Sequence, residues 1–195
     1  MTYHFAKLAY TPAVQELQRR VNGQEMPLGR GPAEAMLGGQ EEEFIAARDS
    51  FYLATVSETG WPHVQHRGGP AGFLKVIAGD RLAFADVGGN RQYVSVGNLH
   101  NQPRVALILM DYPRRRRLKI LGLAEVYPAD ATPAELLPAL QGSTDGRVER
   151  VIAIRIAAFD WNCSQHITPR YSAAELQAFG LLDPSNPTGD MHETL

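Results

Sequence analysis

The chain has 195 residues, of which 44% are hydrophobic and 21% are charged, so it can bury one core of ordinary domain size. Its formal net charge of −2 provides no excess positive charge to hold a nucleic acid or an anionic membrane, and neither partner is predicted. The single cysteine, Cys163, excludes an intramolecular disulfide, and no eighteen apolar residues run together, so we expect a cytoplasmic protein.

The first forty residues predict a helix followed by an irregular connection. Val14, Leu17 and Val21 recur at helical spacing, which predicts a helix over Pro12–Val21 whose apolar face packs on the body of the domain. Residues 23–40 are rich in glycine and proline and have no period. Residues 1–40 are therefore predicted to be an N-terminal extension of helix and loop.

Seven short segments beyond residue 50 are rich in β-branched and aromatic residues and are separated by hairpin-type turn signals, which predicts a mostly antiparallel sheet. Closing such a sheet into a β-barrel removes its exposed edges, so the fold class is α+β with a barrel core and peripheral helices. We expect residues 41–182 to form this domain and residues 183–195 to be a polar tail. The segments are FYLATVS, WPHVQHR, GFLKVIA, RLAFADV, RVALILMDY, LKILGLAEVY and RVIAIRIAAF, with helices over Glu41–Arg48, Asn90–His100, Pro133–Leu140 and Ala173–Phe179.

Basic residues at predicted strand ends are the clearest chemical signal. The sequence has no nucleophile elbow, no P-loop and no dinucleotide fingerprint after a strand. Ends of neighbouring barrel strands converge, so Arg67, Lys75 and Arg91 can surround one phosphate beside the free N–H groups of a helix N-terminus. The alternative interpretation is that the three are solvated charges without a ligand.

Three local patterns occur in order: Arg67 followed by Phe73-Leu74-Lys75, then Asn90-Arg91, then Asn101-Gln102-Pro103-Arg104-Val105. With this order and spacing, the region from about Glu41 to Tyr127 resembles the pyridoxamine 5′-phosphate oxidase-like flavoproteins. The resemblance implies a six- to seven-stranded split β-barrel that binds FMN at a homodimer interface. It also implies that Arg67, Lys75 and Arg91 contact phosphate or flavin oxygens.

The sequence also departs from that family. An extra Gly-Gly-Pro stands between Arg67 and Lys75, and the paired arginines with which the oxidase holds its substrate are absent. Residues 160–170 stand in their place, where Trp161 can stack on the flavin and Gln165 can bond its edge. Pyridoxamine phosphate oxidation is therefore not implied. The candidate FMN-binding residues are His66, Arg67, Gly68, Phe73, Leu74, Lys75, Asn90, Arg91, Ser95, Asn98, Trp161 and Gln165.

The resemblance implies an FMN-dependent oxidoreductase acting on an unidentified small molecule, in which the protein positions the flavin and the flavin carries the chemistry. No general acid or base is evident. The alternative is a non-catalytic flavin- or haem-binding module, a sensor or carrier, because the same barrel can hold a planar ring. A plain interaction protein comes third. No third ligand stands near His63 and His66, so no metal site is predicted, whereas a haem could take its axial ligand from His63, His66, His100 or His166.

Overall fold

A computed structural model describes residues 1–89, 91–141, 146–161 and 165–181. The helices are α1 (Tyr3–Ala9), α2 (Pro12–Asn22), α3 (Gly39–Ala46), α4 (Val94–Asn101) and α5 (Ala173–Ala178). The strands are β1 (Ser50–Val56), β2 (Pro62–Gly68), β3 (Lys75–Ala78), β4 (Arg81–Val87), β5 (Arg104–Asp111), β6 (Arg116–Pro128) and β7 (Val148–Trp161). Two 3-10 helices, Ala129–Ala131 and Ala134–Leu140, follow β6.

All seven strands form one antiparallel sheet in the order β2-β1-β5-β6-β7-β4-β3. The strands form because their side chains alternate between two faces: β1 buries Phe51, Leu53 and Thr55, while Tyr52 between them is exposed. The predicted α+β class and the seven antiparallel strands are confirmed. In the described parts of the chain, no helix has both the length and the apolar character needed to cross a bilayer.

The sheet curls so that its two ends face each other across one hydrophobic core. Phe51 of β1 meets Phe84 of β4 edge-on, with ring centroids 5.2 Å apart, although β5, β6 and β7 separate these strands in the sheet. Phe51 also stacks on Phe73, at 5.5 Å between centroids. Burying apolar side chains from both ends of the sheet drives this curling, and the result is the predicted split barrel.

Two predicted helices differ from those observed. The helix predicted from Asn90 begins only at Val94, because Arg91 and Tyr93 have φ angles of 60° and 52°, which a right-handed helix cannot contain. The helix predicted over Pro133–Leu140 is a 3-10 helix. It contains Pro138, which has no N–H for an α-helical hydrogen bond.

The N-terminal helices also depart from expectation. Helix α2 forms as predicted, but none of its residues is buried, and Leu17 and Val21 are 50% and 71% exposed. The prediction that it packs on the domain is wrong, because an amphipathic period defines a helix face without determining what lies opposite. Helix α1 was not predicted. It is tied to β7 by a hydrogen bond of 2.8 Å from the Thr2 N–H to Asp160 Oδ1.

Candidate functional site

A cleft of about 230 Å³ lies where β2, β4 and β7 meet the N-terminal end of α4. Strands β2 and β4 lie in different halves of the sheet, so the curling of the sheet creates this cleft. Gly89 and residues 91–96 form the wall that leads into α4. The polar side chains lining the cleft are Gln65, Arg67, Asp86, Arg91, Gln92, Tyr93, Ser95, Glu149 and Arg150.

A buried carboxylate joins two of the cleft's arginines. Asp86 is 5% exposed, and its two oxygens accept hydrogen bonds from Arg67 Nη1 at 2.6 Å and Arg150 Nη1 at 2.7 Å. Arg150 also donates through Nη2 to Glu149 Oε2 at 2.6 Å. Burial alone would lower the pKa of Arg150, but the hydrogen bond to Asp86 and the charges of Asp86 and Glu149 raise it above the usual value. Arg150 is therefore charged, and Asp86 holds both guanidinium groups in place.

The cleft retains donors that the protein itself does not use. Arg67 Nε is buried and has no hydrogen-bond partner among the described residues. Arg91 is exposed, and no acidic side chain in the described part of the chain lies within ion-pair distance of it. Guanidinium N–H groups match phosphate oxygens in geometry and charge. The cleft therefore fits a phosphate group.

The wall before α4 has an unusual backbone. Arg91 and Tyr93 both have φ in the left-handed region, which costs about 1–3 kcal/mol for each side-chain-bearing residue. Val94 and Ser95, the first residues of α4, line the cleft, and the first N–H groups of a helix have no partner within it. The phenol ring of Tyr93 lies over the Arg150 guanidinium, 5.0 Å from its Cζ. The helix end adds partial positive charge to that of the arginines.

A wider groove of about 660 Å³ continues from the cleft along α4. Val96, Glu149 and Arg150 line both spaces, so the two adjoin. Helix α4 and strand β6 supply its walls, which are mixed: Leu99 and Val126 are apolar, whereas His100 and Glu125 are not. Its size falls within the roughly 300–1,000 Å³ of ligand pockets, whereas the cleft alone is smaller. The cleft suits one charged group, and the groove has room for a larger body.

The structure brings together only some of the predicted site residues. Arg67, Arg91 and Ser95 line the cleft. Gly68 and Phe73 line a small adjacent hollow that shares Val87 with the cleft. Leu74 and Asn98 are buried, Leu74 in the core and Asn98 with its amide bonded to Thr55 Oγ1 at 2.9 Å. Asn90 lies outside the described residues.

Four further predicted residues do not line this cleft. Trp161 donates from its indole N–H to Glu41 Oε1 at 2.6 Å and packs edge-on against Phe44. His66 lies on β2 beside Tyr52, with ring centroids 5.5 Å apart. The two remaining residues, Lys75 at the start of β3 and the exposed Gln165, are also absent from the described cleft lining. Their role in binding flavin stays a prediction.

Sequence reasoning missed Asp86, Glu149, Arg150 and Tyr93. Asp86 lies within the apolar strand segment RLAFADV, and Arg150 is the first residue of the apolar segment RVIAIRIAAF. A charged residue in such a strand is rarely buried without a partner, so each was a signal that an opposite charge lies nearby. The sequence alone offered no means of pairing Asp86 with residues 19 and 64 positions away.

Residues 37–160 match the family model described as pyridoxamine 5′-phosphate oxidase. The matched region is more than half of the chain and includes every strand except the last residue of β7. The chain belongs to the pyridoxamine 5′-phosphate oxidase-like family. The resemblance predicted from the sequence is thereby confirmed. A comparison with curated protein sequences finds no significant match.

Solved structures share this split-barrel fold. HupZ of Group A Streptococcus is 15% identical, with a TM-score of 0.51 over 69% of this chain and 100% of that chain. A protein of Lactobacillus delbrueckii, provisionally described as a pyridoxamine 5′-phosphate oxidase, is 20% identical, with a TM-score of 0.50 over 66% and 96%. At these identities the likeness establishes the fold and not the activity.

Proposed function

We propose that this protein binds FMN, with the flavin phosphate in the cleft at the N-terminus of α4. The observation that carries the proposal is the convergence of Arg67, Arg91 and Arg150 on one helix end, with Arg67 Nε buried and unpartnered. The chain as a whole is acidic, so this is a local positive site. Family membership supports a flavin as the molecule that carries the phosphate.

We further propose that the protein is an FMN-dependent oxidoreductase acting on a small molecule. The flavin, when bound, would supply the hydride and electron chemistry. Asp86 holds Arg67 and Arg150 in place at the cleft, so these two side chains have little freedom left to lose on binding. The groove beside the cleft offers space for the rest of the ligand, with Leu99 and Val126 among its apolar contacts.

The first prediction is that the protein prefers FMN to FAD and to riboflavin. One terminal phosphate meets three arginines, whereas the second phosphate and adenosine of FAD gain no comparable partners and riboflavin has no phosphate at all. Fluorescence titration of the purified protein with each flavin should give the tightest binding for FMN. Equal affinity for FMN and riboflavin would remove the phosphate from the proposal, and a Soret band would favour the haem-binding alternative.

We also propose a homodimer, from the outer face of the sheet. Val64, Ala54, Ala106 and Leu121 stand in register across β2, β1, β5 and β6, and all are apolar. Val64 is 62% exposed, and the other three are partly buried. A continuous apolar row of this kind on a sheet favours cover by another surface. We propose that a second copy of this chain is the surface that covers the row.

The second prediction follows from this face. Light scattering at micromolar concentration should give about twice the 21.5 kDa chain mass. Val64→Lys should shift the protein towards the monomer, because it places a charge within the apolar row. Val21→Lys is the matched control, because Val21 on α2 is also exposed, at 71%, and its replacement should leave the mass unchanged. A wild-type protein that stays monomeric, or a dimer insensitive to Val64→Lys, would contradict the proposed face.

A further inference from the structure

Asp86 is a carboxylate that already occupies the site where a ligand anion would be held. Its oxygens accept hydrogen bonds from Nη1 of both Arg67 and Arg150, and Glu149 accepts one from Nη2 of Arg150. Two carboxylates therefore face three arginines, and the described cleft has one excess positive charge. A phosphate that enters this cleft gains attraction from the arginines and is repelled by Asp86 at the same time.

We propose that Asp86 is a built-in competitor for Arg67 and Arg150, so that FMN is bound as an exchangeable ligand and not as a permanently held group. This inference rests on the proposed function, because it needs the flavin phosphate in this cleft. The geometry supports it in two ways. Asp86 holds an Nη1 donor of each arginine, at 2.6 Å for Arg67 and 2.7 Å for Arg150. The donors left over are Arg67 Nε, the exposed Arg91 and the end of α4.

The same carboxylate has a second, opposing role as a positioning residue. Arg67 and Arg150 are only 21% and 18% exposed, so each needs a counter-charge when no ligand is present. Asp86 therefore stabilises the fold while it weakens anion binding. If Asp86 had a purely structural role, its loss would disorder the arginines. Protein stability and phosphate affinity would then fall together.

The test measures the affinities of FMN and of riboflavin for wild type and for Asp86→Asn by fluorescence titration, together with the melting temperature. The ratio of the two affinities isolates the phosphate, because both flavins share one ring. We expect Asp86→Asn to raise this ratio about tenfold, as removal of a charge next to the phosphate requires, while the melting temperature falls. Glu16→Gln, an exposed acidic residue of α2, makes the same charge change away from the cleft and should leave the ratio as in wild type.

A ratio that falls together with the melting temperature in Asp86→Asn would overturn the proposal. If that variant does not fold, Glu149→Gln replaces it, since Glu149 is 27% exposed and its removal should raise the ratio severalfold; an unchanged ratio overturns the proposal equally. Repeated gel filtration of the wild-type protein loaded with FMN should strip the flavin. Full retention of FMN would contradict exchange but leave the proposed function intact, whereas failure to bind FMN at all would remove the proposed function itself.

Discussion

Phe84→Ala is expected to lower the free energy of unfolding by about 3–5 kcal/mol. Phe84 is 1% exposed and lies on β4 at the point where the two ends of the curled sheet meet. Its ring contacts Phe51 and Phe73 edge-on, with centroids 5.2 and 6.5 Å away. Truncation removes these contacts and leaves a cavity in the only place that joins β1 to β4 through aromatic packing among the described residues.

Chemical denaturation measures this loss. If the slope of the unfolding free energy against denaturant is the same as in wild type, the variant has altered stability and not the compactness of the folded or unfolded state. Phe179→Ala is the matched control, because Phe179 is 61% exposed on the end of α5 and should change stability by no more than about 0.5 kcal/mol. A loss below about 1 kcal/mol for Phe84→Ala would show that the sheet does not depend on this contact to close. Because Arg67 Cζ lies 5.9 Å from the Phe84 ring, we also expect weaker FMN binding in the variant.

Arg91→Ala is expected to weaken FMN binding about 10- to 100-fold, on the order of 1.5–3 kcal/mol for a charge-assisted hydrogen bond to phosphate. Arg91 is exposed at the cleft and has no ion-pair partner among the described residues, so its removal takes away a ligand contact without leaving a buried charge. Riboflavin affinity should change far less, because riboflavin has no phosphate. Fluorescence titration with both flavins makes the comparison.

Arg155→Ala provides the control, since Arg155 is an exposed arginine of β7 outside the cleft lining. The sequence predicts the same loss for Lys75→Ala as for Arg91→Ala, whereas Lys75 is not among the described residues that line the cleft. Testing the two variants together decides whether β3 belongs to the phosphate site. If both bind FMN like wild type, the phosphate lies elsewhere on the protein.

Much of the fold could be predicted from local patterns. The alternation in FYLATVS and the turn signals between strands depend on neighbouring residues only, and each predicted strand overlaps an observed one. The start of α4 was the main local error, because the left-handed φ of Arg91 and Tyr93 is imposed by surroundings that no side-chain pattern encodes. The exposed apolar face of α2 was a second error, since its period was correct and its packing was not.

The site residues, too, could be predicted from the sequence only in part. Arg67 and Arg91 were found from the sequence because they stand at strand and helix ends in the order of a known family, and the structure places both at one cleft. Trp161 was assigned to the same site, yet its indole faces Glu41 and Phe44. A tryptophan at the end of a strand packs equally well against any helix that covers it, so its sequence position does not identify its neighbour.

By itself, the sequence determined the strands, since periodicity and turn chemistry act over a few residues. The order of its basic motifs also determined the family. Only the tertiary structure decided which charges meet. Asp86 binds Arg150, 64 residues away, because the two are register partners on the neighbouring strands β4 and β7. It binds Arg67, 19 residues away, because the curling of the sheet brings β2 close to β4. A buried carboxylate must be paired, but strand order and closure choose its partners, and these are properties of the whole chain.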